Sequence, residues 1–244
     1  MKRSYRVWRS QKLSKSFLRD IRGGIPFASA QIEIMMRLIQ ASKQSVEQFM
    51  DLGCGNGILA GTILEKYPHA QGVLVDFSKP MLSEGRRNLH EYRSQLRFVR
   101  ADFSTKRWIT AAKGEFFDAI VSGYAIHHQP NQRKKEIYKE IFRLLSLGGV
   151  FVNVEHVAPE TEWVAALNSE LFADSLYDYH SRRGSSKSRE QILKEFINRN
   201  DKSANILAPV GAQCEWLAKC GFLDVGCYFK AFELAVFGGR KSTT

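Results

Sequence analysis

The residues best placed to do chemistry form one short run, Asp51-Leu52-Gly53-Cys54-Gly55-Asn56-Gly57, in which three glycines alternate. Glycine lets the main chain approach a ligand that side chains would hold off. A dinucleotide fingerprint of the G-x-G-x-x-G type needs glycine where Ile58 stands, and a phosphate-cradling loop needs Lys followed by Ser or Thr, so neither pattern fits. Asp51 opens the turn instead. A carboxylate there repels pyrophosphate at close range and suits a ligand bearing an ammonium group. A second acid, Asp76, ends the next apolar run, Val73-Leu74-Val75, where it can accept both hydroxyls of a ribose. A third, Asp102, follows the run 96–100 and could accept from an adenine amino group. The three acids are expected along one rim.

Two further groups have the types needed for proton transfer. His127 and His128 follow the apolar run 116–122, and Glu155 with His156 ends the run that starts at Val150. Histidine titrates near neutrality, as a general base must. Tyr124 either packs on a ligand or fills the core.

All of these residues sit where short β-rich runs end, and the runs alternate with segments of helical period, which argues for βα units on a parallel sheet. Phe49-Met50, Val73–Val75, 96–100, 116–122 and 150–157 read as five strands. Ile32, Met35, Leu38 and Ile39 share one helical face over 30–40, and the helix over 58–67 is closed by Pro68. Ser78 as cap and Pro80 in the first turn start the next helix. Ile137, Ile141, Leu144 and Leu145 recur at helical spacing over 131–146, with the stop expected at Gly148-Gly149. The runs 222–230 and 232–237 lie too close for a crossover and should pair antiparallel at one end of the sheet. A polar, helical insertion is expected between Ala158 and Pro209, where such segments tend to cover the ligand crevice.

In order, the D-x-G-x-G-x-G turn, Asp76, Asp102, the segment from Phe117-Asp118-Ala119-Ile120 through Gly123-Tyr124-Ala125-Ile126-His127-His128, and Leu144-Leu145-Ser146-Leu147-Gly148-Gly149 resemble the successive motifs of class I S-adenosylmethionine-dependent methyltransferases, over about residues 45–240. Through Arg22 to Phe27, the stretch 188–199 and the ending Gly221 to Phe237, the chain is further similar to the carboxy-S-adenosylmethionine synthase group, enzymes of tRNA wobble-uridine modification. Leu147 departs from the proline the family often carries. The turn Gly53 to Gly57 has the general methyltransferase form rather than that of the specialised group.

The resemblance implies an α/β fold with a Rossmann-like, seven-stranded, mostly parallel sheet, helices on both faces and an antiparallel last strand. Its expected parts are a helical arm or lid over 1–44, a cofactor-binding core over 45–157, a helical cap over 158–209 and the antiparallel strands over 210–244. It implies S-adenosyl-L-methionine as cofactor, held by Asp51, Gly53, Cys54, Gly55, Asp76, Phe77, Met81, Ala101, Asp102, Phe103 and Ser122. His127 and His128 are the candidate bases, and Arg22, Tyr124, His156, Tyr177 and Arg199 the candidate acceptor contacts, with no metal. In the narrower group a carboxylate donor, prephenate, is held by an arginine of the insertion, and Arg199 stands nearest that place. Three functions are therefore expected in turn: methyl transfer to a small anionic or polar acceptor, carboxy-S-adenosylmethionine synthesis or tRNA modification, and RNA binding on a methyltransferase fold without turnover.

Composition bounds these readings. A chain of 244 residues suffices for one large domain with a sizeable core, and 44% hydrophobic with 25% charged residues excludes disordered and low-complexity classes. No apolar run reaches the length of a membrane span. Cys54, Cys214, Cys220 and Cys227 form no C-x-x-C pair, which fits reduced thiols in a cytoplasmic protein. The net charge of +11 is uneven: residues 1–22 carry Lys2, Arg3, Arg6, Arg9, Lys12, Lys15, Arg19 and Arg22 against Asp20 alone. Within the insertion Tyr177, Tyr179 and His180 are followed, over 182–202, by Arg182, Arg183, Lys187, Arg189, Lys194, Arg199 and Lys202 against Glu190, Glu195 and Asp201. Basic residues mixed with aromatics can hold RNA, bind one small anion or form a solvated face. The expected partner is a small-molecule acceptor, with tRNA and a second copy of the chain as further candidates.

Overall fold

The computed structural model describes residues 7–8 and 10–244. Lys2, Arg3, Arg6 and Arg9 of the basic arm lie outside the described residues. The arm contains α1 (Gln11–Asp20), whose first turn is capped by the Ser10 hydroxyl accepting from Leu13 N, and a short 3₁₀ turn over Arg22–Gly24. It leads into α2 (Ala28–Ser42). Met35 and Ile39 of α2 are fully buried against the sheet, so only the stretch through Phe27 stands apart from the core.

Five strands run parallel: β1 (Gln48–Leu52), β2 (Gln71–Asp76), β3 (Leu96–Arg100), β4 (Phe117–Gly123) and β5 (Leu145–His156). The hairpin of β6 (Leu223–Ala231) and β7 (Leu234–Arg240) completes the sheet, with β7 antiparallel to both neighbours. The order is β3-β2-β1-β4-β5-β7-β6. The winding reverses between β1 and β4, and the carboxyl ends beside such a reversal are where α/β sheets form their crevice.

Both faces of the central strands are covered, so β1, β2, β4 and β5 read as mainly apolar runs. Phe49, Leu74, Ala119 and Val152 face α2, α3 (Ile58–Lys66) and α4 (Lys79–Asn88). Met50, Val75, Ile120 and Phe151 face the other way, onto α5 (Asn131–Leu144), α8 (Val210–Lys219) and a 3₁₀ segment over Lys106–Ala112. Each strand thereby sends alternate residues to opposite cores.

Two local expectations are corrected. The helix expected to run to Gly148-Gly149 ends at Leu144, because Leu145 is already extended (φ −72, ψ 137) and pairs with Phe117. Gly148, at φ +70, is a kink inside β5 whose N–H donates to Ser242 O at 2.9 Å. Ser78 stands at the N-cap of α4 but its hydroxyl does not cap the helix; it donates to Trp8 O at 2.8 Å.

Between β5 and α8 lies the expected helical insertion, α6 (Glu162–Ser181) and α7 (Arg189–Ile197). A separate apolar cluster joins it to the arm and to β7: Ile25, Phe172, Leu176, Ile192, Phe196 and Leu234 are all buried, with Phe172 and Phe196 stacked at 4.7 Å. Burying each such side chain contributes about 1.5–3 kcal/mol. Tyr179 Oη donates to Arg19 O at 3.2 Å, and His180 Nε2 lies 2.9 Å from Asp20 O. Arm and cap are thus tied to each other over the strand ends. Among the described residues no helix is long and apolar enough to cross a membrane.

Candidate functional site

The glycine turn leaves β1 with Gly53 at φ +78 and Gly55 at φ +52, a region L-residues rarely adopt. Gly53 is required by packing as well, since a Cβ there would stand 2.2 Å from the Cβ of Ala125. Gly55 has nothing within 4 Å of where a Cβ would be, so its bare main chain borders open space. The turn is fixed to β2 by Gly53 N and Cys54 N, which donate to Val75 O at 2.7 and 3.0 Å. Asp76, at the end of β2, accepts from Ser78 N at 2.7 Å through Oδ1 and from Gly55 N at 3.0 Å through Oδ2. Burial raises its pKa to about 6 against the pull of these amides.

A cavity of about 140 Å³ opens above these strand ends. The floor brings together Gly53, Cys54, Gly55, Asp76, Phe77 and Met81, with Phe103 beside them. Arg22, Tyr124, His127, His128, His156 and Arg199 line the rest, so most of the sequence-predicted site converges. A second cavity of about 320 Å³ shares Trp8, Phe17, Ile21 and Arg199 with the first as a common wall between arm and cap.

Five expected contacts stand elsewhere. Asp51 is 1% exposed and lies behind the turn, because strand alternation directs it away from the cavity. Neither of its oxygens completes a hydrogen bond within the protein. Burial lifts its pKa to about 7, opposed in part by the nearby main-chain amide of Ala60 and then by the charge of Arg22. Asp102 turns back on its own loop, where Oδ1 accepts from Ser104 N at 2.9 Å, and Ala101 N is spent on Asp76 O at 3.1 Å. Ser122 is buried, its hydroxyl donating to Leu52 O at 2.7 Å as a brace between β4 and β1. Tyr177 is on the outer side of α6 and exposed, while Tyr179 and His180 are the cap residues that meet the arm. The three acids therefore share no rim: Asp76 alone reaches the cavity.

The histidines form the densest polar cluster of the wall. His127 and His128 occupy a short 3₁₀ turn over Ile126–His128 after β4. His127 Nδ1 lies 2.6 Å from Oε1 of Glu155, and His127 N donates to Oε2 at 3.0 Å. Glu155 is wholly buried; burial pushes its carboxyl up, yet the His127 ring and its amide partners outweigh this and hold it below the ordinary range. His156 Nε2 lies 2.5 Å from Oε2 of Glu233, and His128 Nδ1 lies 3.1 Å from Ala204 O. Burial lowers the pKa of His156, and burial with the neighbouring His127 takes His128 well below its usual value.

Sequence reading missed Glu233 and Trp8. Trp8 is buried against Phe17 and His128 and lines both cavities. An acid inside the apolar run 232–237 was the available signal for Glu233. Arg22 lies 5.7 Å from the Tyr124 ring centroid, and Tyr124, held at φ +51, donates to Gln31 Oε1 at 2.5 Å.

A methyltransferase domain model matches residues 49–149. The chain is 27% identical over 180 residues to a malonyl-[acyl-carrier protein] O-methyltransferase of Legionella pneumophila, covering 70% of this chain and 60% of that protein. It is 23% identical over 221 residues to a carboxy-S-adenosyl-L-methionine synthase of Campylobacter lari, covering 89% and 87% of the two chains. The structure of human N-acetylserotonin methyltransferase in complex with S-adenosylmethionine superposes with a TM-score of 0.62 at 15% identity, over 97% of this chain and 58% of that one, which shows the shared fold. The bare turn at Gly55 and the amide-braced Asp76 fit the amino-acid and ribose portions of that cofactor. With its glycine turn, its strand-end carboxylate and its matched domain, the chain carries a methyltransferase domain over residues 49–149 on the Rossmann-like fold of S-adenosylmethionine-dependent methyltransferases.

Proposed function

We propose that the protein methylates a proton-bearing nucleophile of a small polar acceptor, with His127 as the base. The observation that carries this reading is the His127–Glu155 pair. A carboxylate only accepts, so the 2.6 Å contact makes Nδ1 the protonated nitrogen, and the neutral ring keeps its lone pair on Nε2. His127 lines the cavity.

The cofactor, when bound, supplies a methyl group already activated on a sulfonium. What remains for the chain is to position the acceptor and remove its proton. Asp76 would hold the ribose hydroxyls and the Gly55 turn the amino-acid portion, with Arg22 at its carboxylate. His127 Nε2 takes the acceptor's proton, and Glu155 stabilises the imidazolium that results. Trp8 and Phe17 from the arm, with Phe172 and Phe196 from the cap, exclude water. A second reading, carboxy-S-adenosylmethionine synthesis, is supported by the likeness to the Campylobacter lari protein and by Arg199 on the cavity wall. Asp201 stands 3.2 Å from Arg199 Nε and offsets the charge a carboxylate donor would need.

The test couples calorimetric titration of S-adenosylmethionine to an assay of S-adenosylhomocysteine formation over small hydroxyl and amine compounds. His127→Ala is expected to lower kcat by about 10²–10⁴ with cofactor affinity unchanged, and Glu155→Gln to lower kcat less, without raising KM for the cofactor. Full turnover in His127→Ala would rule out the assigned base. Prephenate-dependent formation of the carboxylated cofactor, read by mass, would establish the second reading instead.

A further inference from the structure

Three histidines on one wall are each held through a single nitrogen by a group that can only accept. His127 Nδ1 meets Glu155 at 2.6 Å, His156 Nε2 meets Glu233 at 2.5 Å, and His128 Nδ1 meets the carbonyl of Ala204 at 3.1 Å. Each of these nitrogens must carry the proton, because a carboxylate or carbonyl oxygen has none to give. In the neutral rings the lone pairs therefore fall on His127 Nε2, His156 Nδ1 and His128 Nε2. The side-chain hydrogen bonds these rings make to the described residues run through the other nitrogens, and all three rings line the cavity. The rings are close, with centroids 4.0 Å apart for His127 and His128 and 5.7 Å for His127 and His156. Two imidazolium charges at that spacing would repel, and after burial the neighbouring His127 further lowers the pKa of His128 and of His156.

A wall of lone pairs is matched by a ligand that brings donors and is mismatched to a carboxylate. The cations nearby do not restore the demand for an anion. Arg199 faces Asp201 at 3.2 Å, and the charge of Arg22 is felt by the buried Asp51 on the glycine-turn side. The same cavity is lined by the rings of Trp8, Phe17, Phe172 and Phe196, with Trp8 directly against His128. Resting on the assignment of His127 as base, we infer that the acceptor is a neutral aromatic compound with two neighbouring hydroxyl groups, one presented to His127 Nε2 for methylation and the other accepted by His156, which Glu233 holds in the required tautomer. His156 is on this account a specificity-determining residue and not a second base.

The experiment uses catechol, phenol and benzoate as probes with the full chain. S-adenosylhomocysteine formation is measured with each, and the binding of each to protein loaded with S-adenosylhomocysteine is followed by tryptophan fluorescence. The expected result is that catechol is preferred to phenol by about ten- to hundredfold in kcat/KM, as a site built to accept a hydroxyl rejects the analogue lacking it, and that benzoate binds weakest. His156→Leu should narrow the preference for catechol over phenol in kcat/KM towards one, with titrated cofactor affinity at the parent value. If that variant does not fold, the order of the three probes in binding to the parent protein decides. Benzoate binding tighter than catechol, or equal catechol and phenol in the parent, overturns the inference. Turnover in His127→Ala with the catechol preference intact would overturn the base and the hydroxyl placed on it, and leave the His156 contact to the second hydroxyl standing.

Discussion

Replacing Asp51 by Asn isolates the cost of a buried charge that the Ala60 amide and Arg22 answer only in part. The carboxylate is 1% exposed, its oxygens complete no hydrogen bond, and burial lifts its pKa to about 7. The folded value lies above the unfolded one, so the folded chain holds this proton more tightly. The stability that the neutral form contributes is full below the unfolded pKa and is lost as pH rises through about 7. From that shift, ionising Asp51 costs the fold about 4 kcal/mol near pH 8 and about 1.5 kcal/mol near pH 5. The amide carries no charge at either pH. Asp51→Asn should therefore gain about 2–3 kcal/mol more over the parent near pH 8 than near pH 5. Asp76 ionises over the same window in both proteins, and the comparison subtracts most of its effect. The assay is urea unfolding without cofactor at several pH values, reading midpoints at constant m. An identical stability difference at both ends of the range would refute the reasoning, since only the charge distinguishes them.

Three more outcomes follow from the same geometry. Asp76→Ala removes a charged acceptor and leaves the N–H groups of Gly55 and Ser78 without it; titration should show S-adenosylmethionine binding weakened by about 10²–10³-fold, at about 1.5–3 kcal/mol per charged hydrogen bond. Arg22→Met should weaken S-adenosylmethionine by about tenfold or more and leave 5′-methylthioadenosine, which has no carboxylate, unaffected; equal losses for both would move Arg22 away from the amino-acid end. Gly55→Val places a β-branched residue at φ +52, in the open space beside the turn, and should weaken cofactor binding while lowering stability by about 1–2 kcal/mol in thermal unfolding.

The parts of the site that are local in sequence were legible before the fold was known. Glycines alternating after a strand, and an acid closing the next one, are fixed by short-range geometry, and Gly53, Gly55 and Asp76 meet as expected. Asp51 misled because it was read from its distance to the glycines. Its neighbours Met50 and Leu52 enter one core, so strand alternation sends Asp51 to the other side, behind the turn. Asp102 was read as a strand end, but β3 closes at Arg100 and the two residues beyond it are already turning. The histidine pairings depend on register between strands distant in sequence. Gly123 beside Val154 carries His127 to Glu155, and His156 opposite Leu234 carries it to Glu233. Hydrophobic period identifies such strands without fixing their alignment.

The cap's return strand is fastened to the histidine turn itself. Ile206 N donates to His127 O at 2.9 Å, Ala204 O holds His128, and Lys134, fully buried, donates to Ile206 O. On the proposed assignment of His127, lifting this segment would unhook the turn that carries the base, so that an opened chamber would lack its proton acceptor and closure would restore it.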